Sequence, residues 1–216
     1  MTDAEVDRLL HGYVLGTFPM GEARDDDRIF IVNPHSRAVL PLDALNISSR
    51  LARTIRSDRY EVRVDTAFAQ VVEHCATPAP GREDTWINAP LTDFYARLFD
   101  RGNAHSVECW RDGRLVGGLY GVSLNAAFFG ESMYSHERDA SKVALAHLAA
   151  RLRVGGYRLL DAQFMTDHLA SLGAIEINRA AYRVRLKQAL AHKADFAAIG
   201  PAVCGAHALQ AISQAS

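Results

Sequence analysis

Three runs rich in strand-forming residues follow one another with only tight turns between them, and that succession constrains the fold more than anything else in the chain. Residues 106–110, 115–122 and 127–133 carry the strand signal, with Arg111-Asp112-Gly113 and Asn125 as the turn residues between them. Runs this close together pair as sequential antiparallel strands, because a parallel pair needs a crossover of about a dozen residues or more. Such a crossover comes next. Residues 141–152 place apolar side chains at 143, 145, 148 and 152, and Gly155-Gly156 stops that helix before an apolar run at 157–163. The β-β-β-α-β order predicts an α+β chain whose mixed, largely antiparallel sheet is flanked by helices.

The flanks carry weaker patterns. Val6, Leu9, Leu10, Tyr13 and Val14 predict a helix over 4–15, ended by Gly16 and Phe18-Pro19. An acidic loop at 24–28 and a short strand at 29–32, stopped by Asn33-Pro34, follow. We expect a small N-terminal unit over residues 1–37 and a main domain over 38–216. Arginines at 50, 53, 56 and 59 predict a helix over 48–59 with a basic stripe, which suits either solvent or phosphates. Towards the end we expect a helix near 166–172, a return strand after Gly173, a basic helix over 179–191 and a loose tail after Gly200. Gly117, Gly118 and Gly121 lie within a strand and open no helix, so they predict bulges or close packing and no phosphate loop.

Composition excludes several classes. With 216 residues, 49% of them hydrophobic, the chain can bury a sizeable core. The net charge of -1 leaves any nucleic-acid contact to a local basic patch. Cys75, Cys109 and Cys204 are odd in number and widely spaced, and the N-terminus has no charged-then-apolar signal, so we expect a cytoplasmic chain. No apolar stretch approaches the roughly 20 residues that cross a bilayer, since His147 and Arg151 interrupt the best one. His136, His147 and His168 have no helical ligand spacing, and no metal is expected.

Two segments carry the chemistry. Phe128-Phe129-Gly130-Glu131-Ser132-Met133-Tyr134-Ser135 puts a carboxylate among aromatics near a strand end, and Asp161 and Gln163 sit at i, i+2, on one face of a strand. Acids and an amide in one cleft can bind and orient an ammonium group; a loop cap and a surface hydrogen bond explain the same residues. Phe128, Phe129, Met133, Leu160, Phe164 and Met165 suit an apolar pocket or plain core.

The ordered blocks Gly16-Thr-Phe-Pro-Met20, Pro34-His-Ser-Arg-Ala-Val-Leu40, Thr85-Trp-Ile87, His105-Ser-Val-Glu108, Leu115-Val-Gly-Gly-Leu-Tyr-Gly121, 128–135, Ala140-Ser-Lys142 and His168-Leu-Ala-Ser-Leu-Gly-Ala174 closely resemble leucyl/phenylalanyl-tRNA–protein transferases, over about residues 9–182. The resemblance implies transfer of Leu or Phe, and less readily Met, from aminoacyl-tRNA to proteins beginning with Arg or Lys, which marks them for degradation. It also implies a main domain like the GCN5-related N-acetyltransferases; because an aminoacyl ester is already activated we expect no cofactor, and we expect a monomer. Matched residue by residue, Asp161 and Gln163 are the acid and amide held to be catalytic, and Glu131 is the pocket glutamate. Trp86 matches a tryptophan near the tRNA's terminal adenosine. Phe128, Phe129, Ser132, Met133, Leu160 and Phe164 would form the aminoacyl pocket, and Arg50, Arg53 and Arg56 an acceptor-stem phosphate site. This chain departs from the family at Met20 and at Ile31-Val32, where tryptophans are usual, so stacking would lean on Trp86 or Phe30; Tyr134 stands where Phe is usual. An acyl-CoA-dependent N-acetyltransferase is the competing enzyme, but His136-Glu-Arg-Asp139 is too bulky and acidic to cradle a diphosphate. A binding module without activity is the third reading, and it gives the acid-amide pair no task.

Overall fold

A computed structural model describes residues 1–78 and 84–213. Helix α1 (Asp3–Val14) leads into a two-stranded antiparallel ribbon of β1 (Phe18–Met20) and β2 (Phe30–Val32). Then come β3 (Ser36–Val39), α2 (Ser49–Arg56), β4 (Glu61–Val64), α3 (Phe68–Ala76) and α4 (Ala89–Asp100). The predicted strands are β5 (Ala104–Arg111), β6 (Arg114–Leu124) and β7 (Ala127–Ser135), followed by α5 (Ala140–Val154) and β8 (Leu159–Asp161). The chain continues through α6 (Asp167–Ser171), β9 (Ile175–Asn178), α7 (Arg179–Leu190) and α8 (Gly205–Ser213).

Local chemistry explains the boundaries. At α1, Thr2 accepts the Glu5 N–H while the Glu5 carboxylate takes the Thr2 N–H at 2.6 Å, a reciprocal cap. Between β5 and β6, Asp112 and Gly113 both have positive φ, 50° and 73°, the sign that a two-residue hairpin turn requires. Ser57 caps α2 and Asp58 turns left-handed at φ 45°, so the helix stops at Arg56. Arg59 therefore leaves the predicted stripe and reaches Glu137 at 3.5 Å.

One seven-stranded sheet runs β4-β5-β6-β7-β8-β3-β9, antiparallel throughout except for the β7–β8 pair that α5 connects. Two apolar clusters lie on its two faces, one drawing on α2, α5 and α8, the other on α1, α3, α4 and α7. Helix α5 is buried along most of its length. Its two polar interruptions are absorbed: burial pushes the His147 imidazole down to about 4, and Arg151 donates to the carbonyls of Phe196 and Gly200 at 2.8 and 2.7 Å. That Arg151 anchor and the packing of α8 on α5 correct the expectation of a loose tail, since Gly205–Ser213 is a helix that buries Ala208, Ala211 and Ile212.

Strand β8 is shorter than predicted. It ends at Asp161 because Gln163 adopts φ 55°, which turns the chain out of the sheet. Its pairing with β7 covers Ala127 to Phe129 only, and β7 then runs on to Ser135 without β8 beside it. The two parallel strands part there, leaving an opening in the sheet beyond their paired ends.

Candidate active site

The parting of β7 and β8 opens a cavity of about 660 Å³. Leu119, Met133, Leu145, Leu148, Leu160 and Leu169 give it apolar walls, and Phe18, Met20, Trp86 and Phe164 also line it. Glu131, Asp161 and Gln163 all border this space, so the two sequence segments do meet at one site.

Glu131 owes its position to an irregularity. Tyr120 pairs with Ser132 and Gly121 with Gly130, which leaves Glu131 as an extra residue bulged out of β7. Gly121 makes the bulge possible: a Cβ there would lie 2.3 Å from the Phe129 carbonyl oxygen. The bulged carboxylate receives the Tyr13 hydroxyl on Oε1 at 2.9 Å and the Tyr95 hydroxyl on Oε2 at 2.8 Å. Burial pushes its carboxyl up to about 7, against the lowering effect of those two hydrogen bonds. Burial, and next the Glu131 charge, raises the Tyr13 and Tyr95 phenols well above their usual range, so both remain donors.

Asp161 is held in the opposite way, with no exposed surface and every bonding direction occupied. Arg37 donates Nε to Oδ1 at 3.0 Å and Nη2 to Oδ2 at 2.7 Å, the bidentate arrangement in which guanidinium and carboxylate bind most strongly. Tyr182 donates to Oδ2 at 2.7 Å and the Gln163 backbone N–H to Oδ1 at 2.9 Å. Arg37 is itself fixed: its guanidinium lies 4.6 Å from the Phe18 ring centre and 4.4 Å from that of Tyr182, and Nη1 donates to the Gly16 carbonyl at 3.0 Å. Asp161 thus bonds the main chain of Gln163 and makes no hydrogen bond to its amide. The Gln163 Nε2 has no partner.

That orphan is one of a set. Among the described residues, the buried side-chain polar atoms without a hydrogen bond are Tyr120 OH, Tyr134 OH, Gln163 Nε2 and His168 Nε2, and all four residues border this cavity. Buried polar groups are almost always paired, so a concentration of exceptions marks a place where water or a bound molecule completes the hydrogen bonding.

The other anticipated residues divide. Ser132, Met133, Leu160 and Phe164 line the cavity, and Trp86 does so with its ring edge-on to Tyr95. Phe128 and Phe129 do not. Both are fully buried, one in each core, because consecutive strand residues point to opposite faces and cannot both wall one pocket. Met165 packs against the core instead. Arg50, Arg53 and Arg56 are exposed on α2, Arg50 lying 3.9 Å from Asp139. Met20 lines the cavity; Phe30, opposite it in the ribbon, lies outside and is covered by Arg28. Arg37, Tyr13, Tyr95 and Tyr182 escaped sequence reasoning. Only Arg37 left a trace, as a lone charge opening the apolar run to Leu40.

A family model described as leucyl/phenylalanyl-tRNA protein transferase matches residues 39–187. The chain is similar over its whole length to proteins named leucyl/phenylalanyl-tRNA–protein transferase from Caulobacter vibrioides, at 58% identity over 217 residues, and Phenylobacterium zucineum, at 56% over 221, each also covered completely. A relative of the same name from Maricaulis maris is 56% identical over 210 residues, 97% of each chain.

Proposed function

Because the chain belongs to the leucyl/phenylalanyl-tRNA–protein transferase family, we propose that it moves Leu or Phe, and less readily Met, from aminoacyl-tRNA to the N-terminal α-amine of proteins beginning with Arg or Lys. The products would carry a degradation signal, made by a monomer in the cytoplasm without a cofactor. One observation carries this reading: a single cavity has leucine-rich walls for an unbranched-at-Cβ side chain and, beside them, the unpartnered Gln163 amide and the Glu131 carboxylate for an amine. An aminoacyl ester is already activated, so alignment of amine and carbonyl supplies much of the acceleration. Gln163 orients the amine. Asp161 positions it through the main chain, holding residue 163 in its left-handed turn. The β-β-β-α-β order also underlies the likeness to acetyltransferases that we propose for the main domain.

Trp86 would stack the terminal adenosine, and Trp86→Ala should weaken binding of aminoacyl-adenosine by about 1–3 kcal/mol, read by calorimetry. Arg50, Arg53 and Arg56 would meet acceptor-stem phosphates. Reversing all three to Glu should weaken tRNA binding and reduce the log–log salt slope by about 2–3, with no change in base preference. An unchanged slope removes the stripe from the interface.

The test of the reaction is transfer of labelled Leu, Phe, Met and Ile from charged tRNA to a protein beginning with Arg, beside a Met-starting protein and acetyl-CoA. Label on the Arg protein alone, with Leu and Phe ahead of Ile, is the expected result. Acetylation without aminoacyl transfer would replace this reading with the CoA-dependent one.

A further inference from the structure

We infer that Glu131 is the group that takes the proton from the acceptor's α-ammonium, a step that rests on the transfer reaction proposed above. The acceptor N-terminus titrates near pH 8, so at neutral pH most of it is ammonium and cannot attack a carbonyl. A base in the cavity makes the bound ammonium usable at neutral pH, and the geometry leaves one carboxylate free to act as that base.

Asp161 is excluded by saturation. Its oxygens accept from Arg37, Tyr182 and the Gln163 N–H, and protonating it would break a bidentate pair in a place with no access to water. The Gln163 amide is not a base. Glu131 has one donor on each oxygen, which leaves a lone pair on each, and it stands out of β7 on its bulge at the cavity.

The surrounding charges suit the task. Glu131 is faced by Tyr13 from α1, Tyr95 from α4, Tyr120 from β6, Tyr182 from α7, Arg37 from β3 and Asp161 from β8. The phenols are all raised by burial and stay neutral, so the charged members are one cation and two carboxylates. With Glu131 ionised the group is one negative charge in excess, which an ammonium ion neutralises. A carboxyl held near 7 is also matched to working pH, as a general base should be.

The step balances. An N–H bond of the ammonium breaks and its proton joins Glu131. The freed nitrogen pair forms the C–N bond, and the carbonyl pair moves onto oxygen. On collapse the C–O bond to the ribose breaks, the leaving oxygen takes the second nitrogen proton, and Glu131 releases its proton to solvent.

The test is the pH profile of kcat/KM for Leu transfer to an Arg-starting peptide, for the wild-type chain, Glu131→Gln, Tyr95→Phe and His168→Gln. The wild type should reach half-maximum near pH 7 and Glu131→Gln near pH 8, following the amine alone, with a deficit of about fivefold at pH 7 that widens towards about tenfold at lower pH and closes above pH 9. Tyr95→Phe keeps the carboxylate but removes a donor to its charged form, so its limb should move up from the wild type's. A deficit in Glu131→Gln that is constant with pH would assign Glu131 to holding the acceptor's side chain and overturn the inference. A pH-dependent deficit from His168→Gln in place of Glu131→Gln would transfer the role to the His168 imidazole, which also borders the cavity, and overturn the inference. No transfer by the wild-type chain would overturn the reaction itself, and this step with it.

Discussion

Arg37→Met should lower the free energy of unfolding by about 3–5 kcal/mol, the cost of leaving a buried carboxylate without its partner. Arg37 has 2% of its surface exposed and Asp161 none, so water cannot take over the missing hydrogen bonds. The loss includes more than charge, because the guanidinium also fills the gap between Phe18 and Tyr182. Adding Asp161→Leu should recover most of the stability, since a buried ion pair replaced by apolar residues is often neutral. It should not recover turnover: the Gln163 N–H then has no anchor, and the left-handed residue loses what holds it. Urea denaturation and single-turnover transfer, measured on both variants, separate the two effects. A loss below about 1 kcal/mol in Arg37→Met would show that the pair contributes little beyond packing.

Gly121→Ala should lower both stability and turnover. The new Cβ would lie 2.3 Å from the Phe129 carbonyl oxygen and 2.4 Å from Cε1 of Phe128, and neither can retreat, since both belong to the fully buried part of β7. Overpacking of this kind costs about 1–3 kcal/mol, and relief requires β7 to shift at the bulge. Glu131 moves with it, and a displacement of about 1 Å can cost about a hundredfold in rate. Gly130→Ala is the control: one residue before Glu131, its Cβ would meet the Asp161 carbonyl at an ordinary 3.5 Å. Denaturation midpoint and turnover should both fall in Gly121→Ala and stay near wild type in Gly130→Ala. Equal behaviour of the two would remove the bulge from the explanation of Glu131's position.

What the sequence made legible was local. Strands β5 to β7, helix α5 and the turns between them are neighbours in the chain, and alternation, helical spacing and glycines record such contacts directly. Strand β3 is different. It inserts between β8 and β9, partners far along the chain, and no period within Ser36–Val39 indicates them. The same distance hides the tyrosines, for Tyr13 reads as an ordinary core position of α1 and its hydroxyl acquires meaning only against Glu131, 118 residues away. Glu131, Asp161 and Gln163 were legible as residues, and the physical state of each was not. One is held on a bulge by two phenols, one is locked in an ion pair, and one is turned left-handed with its amide uncommitted.

The Arg37 pair gathers four stretches of chain into one object: the Gly16 carbonyl, Arg37, Asp161 and the Tyr182 hydroxyl. On the ribosome these arrive in that order, and Tyr182, the last of them, emerges long after Gly16 and Arg37. An incomplete chain therefore lacks a finished clamp, however well its sheet has begun to form. Asp161 can therefore gain its full set of partners only once α7 has been made, so a chain broken off before Tyr182 would hold the buried carboxylate without that phenol.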